Sequence, residues 1–119
     1  MTTEDFNKLV DEACADIKLI LTKKGKEYSP DLDRLSNFKD AAAMNKTVPE
    51  YVLWGFVTKH IVALRDFIDE LNLTNQLMKH HPEITSKREI TKEQWLEKIT
   101  DIINYLVLLR ALLKERGVL

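Results

Sequence analysis

The stretch TKEQWLEKITDIINYLVLLRALLKERG, residues 91–117, decides the fold class. Its apolar residues Trp95, Ile99, Ile102, Ile103, Leu106, Leu109, Leu112 and Leu113 recur at three- and four-residue steps, the spacing of one helix face. Both ends carry stop and start signals. Thr91 can accept a hydrogen bond from the backbone N–H of Gln94 while the Gln94 side chain reaches back, forming a capping box. Lys114 and Arg116 suit the negative end of a helix dipole, and Gly117 tolerates the left-handed conformation that ends many helices. The pattern predicts a helix over about 92–115.

The same period recurs upstream. Phe6, Leu9, Val10, Ala13, Ile17, Ile20 and Leu21 predict a helix over about 3–24, with Lys23 and Lys24 at its end and Gly25 as its stop. KEYSPDLDRLSN, residues 26–37, reads as a loop with room for one helical turn. Leu35, Phe38, Ala41, Ala42 and Met44 mark a short helix over about 32–44. Thr47-Val48-Pro49-Glu50 is the sharpest start signal: a capping Thr, a Glu three residues on, and a Pro in the first turn. The helix after it, about 48–71, carries Leu53, Val57, Ile61, Leu64, Ile68 and Leu71, widened by Val52, Phe56, Ala63 and Phe67. Residues 72–90 are polar and read as a long connection, with room for a helical turn near Thr74–Lys79. The expectation is a single all-α domain over 1–119, a bundle of three long helices and one short one. Three long stripes leave more apolar face than one thin bundle can cover, so the chain is expected to assemble as a homo-oligomer.

Composition narrows the class further. Among 119 residues there are only three Gly and three Pro, too little punctuation for a many-turned β-sandwich or barrel. Hydrophobic residues at 45% and charged residues at 31% fit a folded chain rather than a disordered one. Eighteen Lys and Arg against nineteen Asp and Glu leave a net charge of −1, so nothing demands a nucleic-acid polymer or an anionic membrane as partner. A single cysteine, Cys14, excludes an internal disulfide and favours a reducing compartment. The acidic start MTTEDF lacks an early apolar run, and no stretch approaches about 20 apolar residues. Together these predict a cytoplasmic protein.

Candidate sites lie where polar residues interrupt apolar stripes. Glu97, Asp101 and Asn104 follow at four- and three-residue steps on one helix face, with Tyr105 beside them. Asn104 breaks an otherwise apolar run. A carboxylate and an amide there suit Mg²⁺, or the sugar and base of a nucleotide, unless they form only a solvated face with an interhelical hydrogen bond. On the central helix Lys59, Asp66 and Glu70 are nearly in line, a set for phosphate and its metal or an ordinary charged face; His60 adjoins them. Gly55, inside a periodic segment, costs about 1 kcal/mol relative to Ala and suggests a close approach by a helix or ligand. Tyr28, Arg34, Asn37, Phe38 and Lys39 combine stacking rings with cations on a loop and short helix, as a nucleotide lid does. His80-His81 lacks companion ligands for a metal, and Cys14 reads as a structural thiol. No GxGxxG, P-loop, GxSxG or HExxH pattern occurs.

Several of these residues also fall in a familiar order. Lys24-x-x-x-Tyr28, then Asp33-Arg34-Leu35-x-Asn37-Phe38 with Ala41-Ala42, then Lys59-His60, then Glu97-Lys98-Ile99-x-Asp101-x-x-Asn104-Tyr105-Leu106 span about residues 20–113. In this order they resemble small phage and prophage proteins that look like distant relatives of the all-α nucleotide pyrophosphohydrolases (the MazG and dUTPase-like superfamily) and of phage nucleotide-modification-associated domains. The resemblance implies an oligomeric helical bundle with a nucleotide cleft between helices. In the enzymes Mg²⁺ is held by Glu-x-x-Glu on one helix and Glu-x-x-Asp on the next. Here the second motif reads Lys98-x-x-Asp101, with Glu97 one place early, and the nearest match to the first is Asp66-x-x-Asp69 with Glu70 beside it.

The leading expectation is a nucleotide-binding protein, phage-encoded and possessing a cleft between long helices, in which a nucleotide or nucleotide-derived signal is held. Lys59, Arg34 and Lys39 would neutralise phosphate, Asp101 and Asn104 would receive ribose or base, and Tyr28 or Phe38 would stack. His60 and Tyr105 complete the candidate set. Sequestering a host immune nucleotide is one use of such binding. The second expectation is a Mg²⁺-dependent hydrolase cleaving a nucleoside triphosphate between its α- and β-phosphates, with Asp66, Glu70, Glu97 and Asp101 on the metal. The third is a helical interaction module in which these polar residues only set helix register.

Overall fold

The computed structural model describes residues 1–28, 33–83 and 88–119. Every regular element among them is a helix: α1 (Thr3–Tyr28), α2 (Ser36–Met44), α3 (Pro49–His80) and α4 (Lys92–Arg116). The fold is all-α. None of these helices is long and apolar enough to cross a membrane.

Helix α4 begins with the expected box. Thr91 accepts from the Gln94 backbone N–H at 3.1 Å, and the Thr91 N–H donates to the Gln94 side chain at 2.9 Å. It ends at Gly117, whose φ of 84° is the left-handed cap. The other boundaries differ from expectation. Gly25 does not stop α1, which continues to Tyr28. A mid-helix Gly weakens a helix without breaking its backbone hydrogen bonds. Helix α2 starts at Ser36 rather than near 32; ahead of it the Leu35 N–H donates to the Asp33 carboxylate at 2.9 Å, a turn that sets the chain's entry into the helix. Helix α3 starts at Pro49, but its cap residue is Val48 and no side-chain cap bond forms. Glu50, expected to complete a box with Thr47, instead takes both Arg116 Nε and Nη2, at 2.6 and 2.7 Å. A charge-assisted pair to a planar guanidinium outcompetes a neutral cap bond. At its other end α3 runs to His80, nine residues past Leu71, and absorbs half of the expected connection.

Helices α3 and α4 lie antiparallel. Glu50 meets Arg116 at one end, Phe56 meets Tyr105 further along, and Phe67 packs edge-on to Trp95 at 5.4 Å at the far end. Helix α2 packs on α3, and α1 packs on α4. The core sits where α2, α3 and α4 converge, around Leu35, Leu53 and Leu112, with Phe38, Leu108 and Leu109 packed against it. Val57, Phe67 and Ala42 are also buried. Helix α1 is the loosest member: its first 12 residues are all exposed, and only Ala13, Ile17, Ile20, Leu21 and Gly25 on the described part are half-covered.

Candidate ligand-binding cleft

The buried polar residues on α4 line a cleft. Asp101, Asn104, Tyr105 and Leu108 repeat at helical spacing on the face α4 turns to its neighbours. Helix α1 contributes Leu21 and Lys24, the turn before α2 Arg34, α2 itself Asn37, Phe38 and Ala41, and α3 Phe56. The cleft is open on one side and has a volume of ≈ 390 Å³, within the range of roughly 300–1,000 Å³ seen for small-molecule pockets.

An aromatic wall closes one side. Phe38 meets Phe56 edge-on with centroids 6.5 Å apart, Phe56 lies parallel to Tyr105 at 6.2 Å, and His60 tilts against Tyr105 at 5.3 Å. Polar groups of α4 share the cleft with these rings. Asp101 is 8% exposed, its carboxylate 3.7 Å from Lys24 Nζ and 3.7 Å from His60 Nδ1. Both separations exceed hydrogen-bond length, so neither is a directed hydrogen bond. Asn104 is 6% exposed, and neither its Oδ1 nor its Nδ2 has a hydrogen-bond partner. His60 Nδ1 is buried in the same condition. A buried amide left unpaired costs about 1–3 kcal/mol per group, and such groups call for a partner from outside the chain.

Gly25 has a local use here. A Cβ at Gly25 would stand 2.7 Å from Arg34 Nε and 3.1 Å from its Cδ. The bare helix surface lets the Arg34 side chain cross α1 and reach the cleft. Gly25 thus serves a close approach rather than a helix stop.

Of the residues expected from sequence to bind a ligand, Arg34, Asn37, Phe38, Asp101, Asn104 and Tyr105 line one cleft. His60 adjoins it through Tyr105 and Asp101. The Tyr28 side chain lies outside the described part of the structure. Lys39 does not line the cleft: it bonds Asp33 at 2.8 Å and Glu115. Those two carboxylates hold the Lys39 ammonium above its ordinary pKa, and Lys39 in turn holds Asp33 below its own. Lys59 is exposed, its Nζ 5.9 Å from the Phe56 ring, and it does not line the cleft either. The cation that does, beside Arg34, is Lys24. Its place in the Lys-x-x-x-Tyr order was the signal for it, and helix-end placement masked that signal. Phe56 was masked in the same way by its membership of a core stripe.

The four acids expected to hold Mg²⁺ are not gathered. Asp66 is exposed, 3.9 Å from Arg65. Glu70 lines a separate depression with Arg88, Glu89 and Trp95. Glu97 is exposed, and Asp101 faces Lys24 and His60. Among the described residues no three His, Cys, Asp or Glu side chains converge on a point that would hold a metal ion. A hard divalent cation takes about six oxygen ligands, several of them carboxylate, and this donor set does not fit one.

Compared with the known protein families, with curated proteins and with solved structures, the chain matches none.

Proposed function

We propose that the cleft binds a nucleotide, or a small signal built from one, and holds it without breaking it. The observation that carries this reading is Asn104, a buried amide in the cleft with a donor and an acceptor both unpaired. A heterocyclic base offers an adjacent acceptor and donor on one edge, the complement of a carboxamide. The rings of Phe38, Phe56 and Tyr105 supply faces for that base to stack on. Asp101 accepts hydrogen bonds from ribose hydroxyls, and Lys24 and Arg34 supply positive charge for phosphate. The dispersal of Asp66, Glu70 and Glu97 supports binding over metal-assisted hydrolysis. On this reading the protein works in the cytoplasm as a homo-oligomer, and sequestration of a signalling nucleotide is a use that needs affinity without turnover.

The test is incubation of the purified protein with a panel of nucleotides and Mg²⁺, followed by chromatography before and after heat denaturation. Intact nucleotide released only on denaturation, or saturable heat on titration, is the expected result. Pyrophosphate release would overturn the binding reading in favour of hydrolysis. No binding and no turnover would leave a helical interaction module.

A further inference from the structure

Charge limits what the cleft can hold. Two cations line it, Lys24 and Arg34, and one carboxylate, Asp101. Lys24 Nζ stands 3.7 Å from Asp101, so part of its charge already answers that carboxylate. Arg34 is itself partnered within the chain, which leaves less of its charge for a ligand and not more. The other nearby cations are engaged elsewhere or stay outside. Lys39 is taken by Asp33 and Glu115. Lys59 is exposed on α3. A Cβ at Gly55, one turn before Lys59, would meet nothing within 4 Å, so no side chain crosses α3 there as Arg34 crosses α1 at Gly25. His60, 3.7 Å from Asp101, adds a positive charge only when protonated. Residues 29–32 contain no Lys, Arg or His.

Two cations against one carboxylate leave a single positive charge in the cleft, or two when His60 is protonated. A phosphate monoester carries about −1.5 to −2 at pH 7, which this set nearly balances. Every further phosphoryl group adds negative charge that these side chains do not answer, and taking an unanswered charge out of water is costly. In sites that hold triphosphates, metal ions neutralise that excess by bridging the β- and γ-phosphate oxygens, with protein carboxylates behind them. Among the described residues no three His, Cys, Asp or Glu side chains gather to hold such an ion. Asp101, the carboxylate in the cleft, faces Lys24 and His60 instead. Room agrees with charge: ≈ 390 Å³ is near the low end of the small-molecule range.

We propose that the ligand is a nucleoside carrying a single phosphoryl group, bound without a metal ion, and that the cleft discriminates against di- and triphosphates. This rests on the nucleotide reading above and narrows it. Asn104, Asp101 and the aromatic wall meet the base and ribose, and Lys24 and Arg34 meet the phosphoryl group. A bare nucleoside leaves both cations unused. A triphosphate brings more charge than they answer.

The experiment is calorimetric titration of the full chain with the four ribonucleosides and their 5′-mono-, di- and triphosphates, once with Mg²⁺ and once with EDTA. For the base that binds best, the monophosphate is expected to bind at least about tenfold more tightly than both the nucleoside and the triphosphate. Its Kd should be the same with Mg²⁺ and with EDTA. Lys24→Met and Arg34→Met, each checked for folding by circular dichroism, are expected to close the gap between monophosphate and nucleoside. A triphosphate that binds as tightly as the monophosphate, or binding that appears only with Mg²⁺, would overturn the single-phosphate assignment and leave the nucleotide reading standing. So would equal affinity for nucleoside and monophosphate, which would take both cations out of the site. No binding by any member of the panel, or pyrophosphate released from a triphosphate, would overturn both. If a variant does not fold, the wild-type order of affinities decides.

Discussion

Replacing Asn104 with leucine removes both unpaired amide groups and keeps the branching of the side chain. In a core position serving only packing, that exchange relieves a desolvation penalty. Asn104→Leu is therefore expected to stabilise the ligand-free protein by about 1–3 kcal/mol, read by thermal or urea denaturation, while abolishing nucleotide binding in a calorimetric titration. A destabilised variant would show that the amide is satisfied within the fold. Gly25 carries a second opposition. Alanine in a helix interior is favoured over glycine by about 1 kcal/mol, yet here its Cβ would push the Arg34 side chain aside. Gly25→Ala should melt no lower than wild type and bind a phosphate-bearing ligand more weakly. Unchanged affinity would remove Arg34 from the binding set. The sequence shows Asn104 as an interruption of pattern and Gly25 as a helix stop. Asn104 was readable as a polar residue in an apolar run. Gly25 was not readable for its use, because Arg34 is nine residues away and only the packed structure brings the two together.

At the scale of the helix, the two Thr start signals have different fates. Thr91 forms its box, and Thr91→Ala should cost about 1 kcal/mol of stability. Thr47 makes no side-chain cap bond, so Thr47→Ala should change stability by less than about 0.5 kcal/mol, and paired urea melts separate the two. Helix α3 recruits Arg116 from the last turn of α4 instead, and that pair joins the start of one helix to the end of the other. The Arg116 guanidinium holds the Glu50 carboxyl below its ordinary value of 4.5. A carboxyl whose folded pKa is depressed contributes stability in full above its unfolded pKa, and loses it as pH falls through the folded one. Wild type should thus exceed Glu50→Gln in melting temperature by a few degrees at pH 7, with the difference shrinking below about pH 4.5. A difference constant from pH 7 to pH 3 would assign the effect to packing. The helix ends were the least legible part of the sequence. A capping box and an interhelical ion pair compete for the same Glu50, and spacing within one helix reveals only the first.

For the whole molecule, the exposed apolar surface predicts that stability depends on concentration. If two copies bury it together, the melting temperature rises with protein concentration, because association favours the folded state by mass action. Scans over a hundredfold range of concentration check this, and a flat response would speak for a stable monomer. The expectation of unmet apolar face followed from counting stripes against chain length, and the exposed Phe6, Trp54, Ile61 and Ile68 agree with it. Which stripe lacks cover was not in the count. All three long helices show the same period, and only their packing distinguishes the buried Leu53, Val57 and Phe67 of α3 from its exposed Tyr51, Trp54 and Val62.

The amino-acid sequence by itself determined four helices and the shared face of Asp101 and Asn104. Both depend on contacts between residues three and four apart, which the 3.6-residue turn places together whatever surrounds them. Only the tertiary structure decided which cations reach that face. Lys24 and Arg34 line the cleft, while Lys39 is taken by Asp33 and Glu115 and Lys59 stays outside. It also decided that Asp66, Glu70, Glu97 and Asp101 stand apart. Charge is non-directional and a long side chain has many reachable partners, so its assignment waits on the angles at which the helices cross.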